Sequence, residues 1–171
     1  MVEDFDFDSA KAVVEFGPGM GTFTNAILDE LPPGWLAAEG GKGRFIAIEF
    51  NRRMAVMFRR NYPGVSLHHD DAANVVDICL EEGVKPGTVD CVISGLGWPS
   101  FSDEVRTRIL EATHKVLRPG GEFRTFGYHC GLLMRGAWHF RSEVRRLFRE
   151  VEVGRVVWGN MPPAFVYRCV K

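Results

Sequence analysis

Apolar and polar positions along this chain change period repeatedly, between the solid or alternating apolar run of a strand and the i, i+3, i+4 recurrence of an amphipathic helix. Apolar runs predict strands over Ala12 to Phe16, Arg44 to Glu49, Val65 to His69, Val89 to Ser94 and Gly121 to Gly127. Helical recurrence predicts helices over Thr22 to Leu31, Arg52 to Asn61, Ala73 to Glu82, Asp103 to Leu117 and Ala137 to Arg149. The breakers Pro32-Pro33-Gly34, Gly40-Gly41, Pro63-Gly64, Pro86-Gly87 and Pro119-Gly120-Gly121 fall between these elements. Strands alternating with helices predict a doubly wound, mostly parallel sheet covered on both faces. After the last helix, Val151 to Trp158 and Ala164 to Val170 read as strands joined by a turn over Asn160 to Pro163. A parallel crossover needs a dozen or more residues, so these two pair antiparallel.

A chain of 171 residues is long enough to bury one core and too short for a cofactor domain plus a separate substrate domain. The acidic start MVEDFDFDSAK is no secretory signal, and no apolar run is long enough to span a bilayer, so the expected location is the cytoplasm. Cys79, Cys91, Cys130 and Cys169 are scattered singly and read as buried reduced thiols. His68 and His69 beside Asp70 and Asp71 do not make a metal site, because neighbours on a strand point to opposite faces. The net charge of −1 is unevenly placed, with −7 through Ser102 and +6 beyond it. Arg141, Arg145 and Arg149 recur at i, i+4, i+8 opposite Phe140, Val144, Leu147 and Phe148. That stripe is either a solvated helix face or a surface for anions such as lipid phosphates or nucleic acid.

The candidate chemistry centres on VVEFGPGMGTFT, Val13 to Thr24. Gly17, Gly19 and Gly21 let the chain turn sharply off a strand, with the free N–H groups of the next helix facing a ligand. Thr22 stands where a dinucleotide fingerprint places its third glycine, which weakens an NAD reading. Glu49 ends the second strand, where a carboxylate can accept the ribose hydroxyls of a nucleoside. Asp70 and Asp71 follow the third strand, and either can cap the next helix. Ser94 and Gly95 open the loop SGLGWPSF after the fourth strand, at the edge where a reacting group would lie.

In fixed order these segments resemble the class I S-adenosylmethionine-dependent methyltransferases, with Glu15-x-Gly17-x-Gly19-x-Gly21 as the first motif. The resemblance implies a Rossmann-like, seven-stranded sheet closed by an antiparallel C-terminal hairpin, and S-adenosylmethionine as cofactor. It implies cofactor contacts from Glu15, Gly17, Gly19, Gly21, Thr22, Glu49, Asp71, Ala72, Ser94 and Gly95, with Asp71 and the Ala72 backbone on the adenine and Asp70 as the rival acid. The loop SGLGWPSF and the ending VVWGNMPPAFVYRC resemble bacterial phospholipid N-methyltransferase-like proteins, with Gly97 in place of the loop proline. Methylation of phosphatidylethanolamine-type amines is what that resemblance implies, with peripheral contact to the inner face of an anionic membrane. A methyltransferase of soluble amines, and a cofactor-binding protein without catalysis, are the alternatives.

Family members carry an N-terminal amphipathic helix and cover, so the expectation is one methyltransferase domain over 1–171 lacking that cover. The absence of N-P-P-Y or D-P-P-Y in the loop weighs against nucleic-acid bases. Tyr128 and His129, just past the fifth strand, are the candidates to handle the proton of the attacking amine. Trp98 and Trp158 could hold a methylated cation, with core burial the expectation for Trp158.

Overall fold

A computed structural model describes residues 1–36, 41 and 43–171. Of the predicted Gly40-Gly41 breaker and its long loop, Gly40 and neighbouring positions lie outside the described residues. The chain runs β1 (Ala12–Phe16), α1 (Thr22–Glu30), β2 (Arg44–Ile48), α2 (Arg52–Asn61), β3 (Ser66–His68), α3 (Val75–Glu81), β4 (Val89–Ser94), α4 (Asp103–Val116), β5 (Leu117–Tyr128), α5 (Arg135–Leu147), β6 (Glu150–Val153) and β7 (Ala164–Val170). Short 3-10 turns over Ala72–Asn74, Trp98–Ser100 and His129–Leu133 precede α3, α4 and α5. The strands form one seven-stranded sheet in the order β3-β2-β1-β4-β5-β7-β6. Pairings from β3 through β5 are parallel, and β7 lies antiparallel between β5 and β6.

Strand alternation divides the core into two. Val14 and Phe16 of β1 join Ile46, Ile48 and Val92 in a cluster that includes residues of α3, α4 and α5. Val13 of the same strand joins Phe45, Cys91 and Ile93 in a second cluster with Ile27 of α1 and Phe58 of α2. The central strands are buried on both faces, which is why they read as solid apolar runs.

Four expectations change. β6 ends at Val153 rather than Trp158; beyond it the Gly154 N–H donates to the Val166 carbonyl at 2.8 Å and an isolated bridge joins Val157 to Ala164. The chain leaves the sheet there because β6 is an edge strand, where β propensity is supported by one neighbour only. Trp158 therefore sits in the turn, 69% exposed, whereas Trp98 enters the core, at 1%. Pro119-Gly120-Gly121 lies inside β5 rather than before it, absorbed where the pairing with β4 shifts register between Val89 and Cys91. Lys171 and Gly120–Gly121 exchange backbone hydrogen bonds at that point, which keeps the strand in the sheet. Cys79, Cys91 and Cys169 are buried as expected, whereas Cys130 is exposed because it falls in the 3-10 turn after β5.

Among the described residues no group of three or more His, Cys, Asp or Glu is placed to hold a metal ion. His68 Nε2 instead lies 2.7 Å from Glu82 Oε1, and His69 Nε2 lies 3.1 Å from the carbonyl of Phe50. Among the described residues no helix is long and apolar enough to cross a membrane.

Candidate active site

Because β1, β2, β3 and β4 run parallel, their carboxyl ends, and the loops that follow them, share one edge of the sheet. The glycine turn stands over the middle of that edge. Gly17, Gly19 and Gly21 take φ of +61°, +55° and +92°, the left-handed region that side chains disfavour. The Gly17 N–H donates to the Ile48 carbonyl at 2.8 Å, and the Gly95 N–H donates to the Phe16 carbonyl at 2.8 Å. A Cβ on Gly95 would lie 2.7 Å from the Gly17 carbonyl oxygen, so the loops after β1 and β4 meet backbone to backbone. A Cβ on Gly19 would meet nothing within 4 Å, leaving open approach to the main chain. No side chain caps α1 and no acid stands in its first turn, so its leading N–H groups offer positive potential to an anionic group.

Glu49 closes the next strand and is almost fully buried. Its Oε2 accepts from the Gly19 N–H at 3.1 Å and its Oε1 from the Asn51 N–H at 2.8 Å. Each carboxylate oxygen retains a lone pair for another donor. Beside the turn lies a cleft of about 780 Å³, lined by Gly17, Gly19, Thr22 and Gly95 together with Phe126, Tyr128 and Phe165; Glu49 is not among its lining residues. These features fit S-adenosylmethionine: bare backbone for close approach, an uncapped helix start for a carboxylate, and a buried acid beside them.

The methyltransferase domain family matches residues 13–121, from β1 into β5 and across this entire edge. This chain belongs to that family. It is an S-adenosylmethionine-dependent methyltransferase. It is similar to an ornithine lipid N-methyltransferase from Singulisphaera acidiphila, at 28% identity over 98% of this chain and 80% of that protein. In fold it resembles a Klebsiella pneumoniae protein at a TM-score of 0.70 and 17% identity, covering 95% of this chain and 74% of that one. A SAM-dependent O-methyltransferase from Thermotoga maritima matches at a TM-score of 0.63 and 15% identity, over 96% of this chain and 61% of that one.

The remaining residues singled out in the sequence divide by location. Glu15 is fully buried beneath the glycine turn, and its Oε2 accepts from Thr24 Oγ1 at 2.7 Å, tying β1 to α1. Its Oε1 has no partner, and burial, aided by the nearby Glu49 charge, pushes its carboxyl up to about 7 against the Thr24 hydrogen bonds. Ser94 is buried too, its hydroxyl accepting from the Leu96 N–H at 3.2 Å and so shaping the loop after β4.

Asp71 and Asp70 act as caps. Asp71 Oδ1 accepts from the Ala73 N–H at 2.9 Å, and Asp70 Oδ1 accepts from the Asp71 N–H at 2.6 Å and from Asn74 Nδ2 at 2.8 Å. Ala72, buried, begins the intervening 3-10 turn. Asp71 Oδ2 remains 3.8 Å from Arg108.

Gly97 needs no left-handed backbone, having φ −82°. Its loop is held instead by Trp98, whose Nε1 donates to Thr125 Oγ1 at 2.9 Å and whose rings stack on Phe140 at 5.1 Å.

Tyr128 is half exposed and lines the cleft, whereas His129 is exposed, has its ring 5.3 Å from that of Trp158, and lines neither the cleft nor its neighbour. That neighbour is a second cavity of about 210 Å³, between the Trp98 loop, the end of β5, the start of α5, and β7. Sequence reasoning did not find Phe126 or Phe165 as shared walls of the two cavities. Their only signal was alternation on β5 and β7, which marks any core strand.

Proposed function

We propose that this methyltransferase moves a methyl group to the amine nitrogen of a lipid headgroup, of the phosphatidylethanolamine type. The observation that carries the reading is the end-to-end similarity to an ornithine lipid N-methyltransferase, which spans 98% of this chain. Both lipids present an alkyl amine at the polar end of a molecule that carries acyl chains.

When bound, S-adenosylmethionine supplies a methyl group on a sulfonium sulfur. We assign the glycine turn and the first turn of α1, with Thr22, to the carboxylate end of the cofactor. Glu49 takes the ribose hydroxyls, Asp71 Oδ2 and the Ala72 N–H take the adenine edge, and Gly95 allows close approach at the reacting end. Glu15 and Ser94 support these from below, Glu15 by bonding Thr24 and Ser94 by shaping the loop.

The amine must be neutral to attack, and the apolar walls of Phe126 and Phe165 beside Tyr128 favour the neutral form by excluding water. Tyr128 accepts an N–H hydrogen bond that orients the lone pair, and the released proton passes to solvent, with exposed His129, the next residue along, as its acceptor outside the cleft. Access to a lipid is through the surface around Leu133, Met134 and Trp138, which are 92%, 49% and 72% exposed. Arg135, Arg141 and Arg145 flank them, and among the described residues no carboxylate lies within 4.0 Å of these guanidinium groups. Apolar side chains set among arginines suit peripheral contact with an anionic bilayer.

The test is incubation of the protein and S-adenosylmethionine with vesicles of phosphatidylethanolamine, of ornithine lipid, or with soluble amines, followed by mass spectrometry. Methyl increments on phosphatidylethanolamine are expected. Increments on ornithine lipid alone would move the headgroup, and increments on soluble amines alone would overturn the lipid reading.

A further inference from the structure

We infer that the second cavity holds the hydrocarbon chain of the amine substrate while the amine stands in the cofactor cleft; this rests on the lipid-amine reading. Three observations carry it. The first is chemistry: Trp98, Phe126, Leu132, Phe140, Phe165 and Tyr167 dominate its walls, and no Asp, Glu, Lys, Arg or His lines it among the described residues. The Trp98 indole N–H, the most obvious donor there, is already given to Thr125. A headgroup would find no charged partner here, and an apolar space of this kind gives water too few hydrogen bonds to stay.

The second is continuity. Phe126, Tyr128 and Phe165 line both cavities, so one molecule can place its nitrogen beside Tyr128 and its chain behind the aromatic wall. The third is that the cavity is not slack packing. α5 is pressed against the Trp98 loop so closely that a Cβ on Gly136 would collide with the Pro99 carbonyl, and Trp98 stacks on Phe140 of the same helix. The space survives beside a tight joint. Its outer edge includes Met134, next to fully exposed Leu133, so a chain leaving a bilayer has an apolar way in.

Each methylene moved from water to an apolar cavity of this kind strengthens binding roughly fourfold. In calorimetric titrations of n-alkylamines into protein saturated with S-adenosylhomocysteine, affinity should climb by about that factor per methylene and then level off once the cavity is full. Ala137→Phe narrows the cavity from a partly exposed helix position outside the cofactor cleft. It should level off several methylenes earlier with unchanged S-adenosylhomocysteine affinity.

Cys130 gives a reading that needs no variant. It is the exposed cysteine and lines this cavity, while Cys79, Cys91 and Cys169 are buried. Decylamine should slow its alkylation by iodoacetamide at least fivefold, and propylamine should not. An unprotected Cys130, or the same chain-length profile in Ala137→Phe and the parent, would overturn the inference. Both assays run without methyl transfer, so a protected Cys130 alongside unmethylated vesicles would sink the lipid reading and leave the chain site standing.

Discussion

Glu49 spends its two oxygens on the Gly19 and Asn51 amides, so the acid that would meet a ribose also fixes the shape of the turn that would meet the rest of the cofactor. Glu49→Ala should therefore weaken S-adenosylhomocysteine binding by roughly ten- to a hundredfold, the effect of losing hydrogen bonds to a charged acceptor. Calorimetry on protein shown by circular dichroism to be folded checks this. Glu49 was legible in the sequence because its position, one residue past a strand that follows a glycine turn, is a local fact. The tryptophans were not. Trp98 and Trp158 each follow an apolar run, yet one stacks on Phe140 and the other stands in solvent. Whether an aromatic ring is covered depends on which distant element arrives above it.

Helix α5 shows how far periodicity reaches. The recurrence of Phe140 and Val144 opposite Arg141 and Arg145 predicted which side is buried, and the structure has those two apolar residues covered and those arginines exposed. What periodicity missed was both ends of the helix: it stops at Leu147, so Arg149, the third arginine of the expected stripe, lies beyond it and pairs with Glu150 at 2.8 Å. It begins at Arg135, two residues before the predicted Ala137, directly after a 3-10 turn that leaves Leu133 outside. This brings Arg135 and Trp138 onto the same short helical stretch, and Trp138 Nε1 donates to the Leu132 carbonyl at 3.0 Å. Each arginine near an anionic bilayer contributes about 1 kcal/mol. Arg141→Ala with Arg145→Ala should weaken binding to phosphatidylglycerol vesicles by roughly thirtyfold at low salt. Sedimentation with vesicles measures it, and raised salt should shrink the difference because exposed charges are screened. Equal binding by both proteins would remove this helix from the bilayer contact.

The stability of the whole molecule is tied to one buried acid on its central strand. Glu15 lies between β2 and β4 with one oxygen unpartnered, and its carboxyl is raised from 4.5 to about 7. Below pH 4.5 the folded and unfolded chains both hold the proton, and this residue has no effect on the balance. Between pH 4.5 and 7 the unfolded chain loses it first, so stability falls as pH rises, and above 7 a constant penalty on the order of 3 kcal/mol remains. Glu15→Gln should therefore be more stable than the parent at pH 8, with the gap closing towards pH 4.5. Urea denaturation at both values tests this, and a gap that does not depend on pH would show that the charge is not its source.

Local chemistry wrote the order of elements, the glycine turn, the acid at the end of β2 and the antiparallel ending into the chain, since turn residues and side-chain periods act over a few positions. The second cavity could not be read this way. Its walls run from Leu96 to Tyr167 and meet only because β7 inserts between β5 and β6 and α5 folds back onto the Trp98 loop. A space between elements belongs to their packing, and packing is set by contacts that no short stretch of sequence contains.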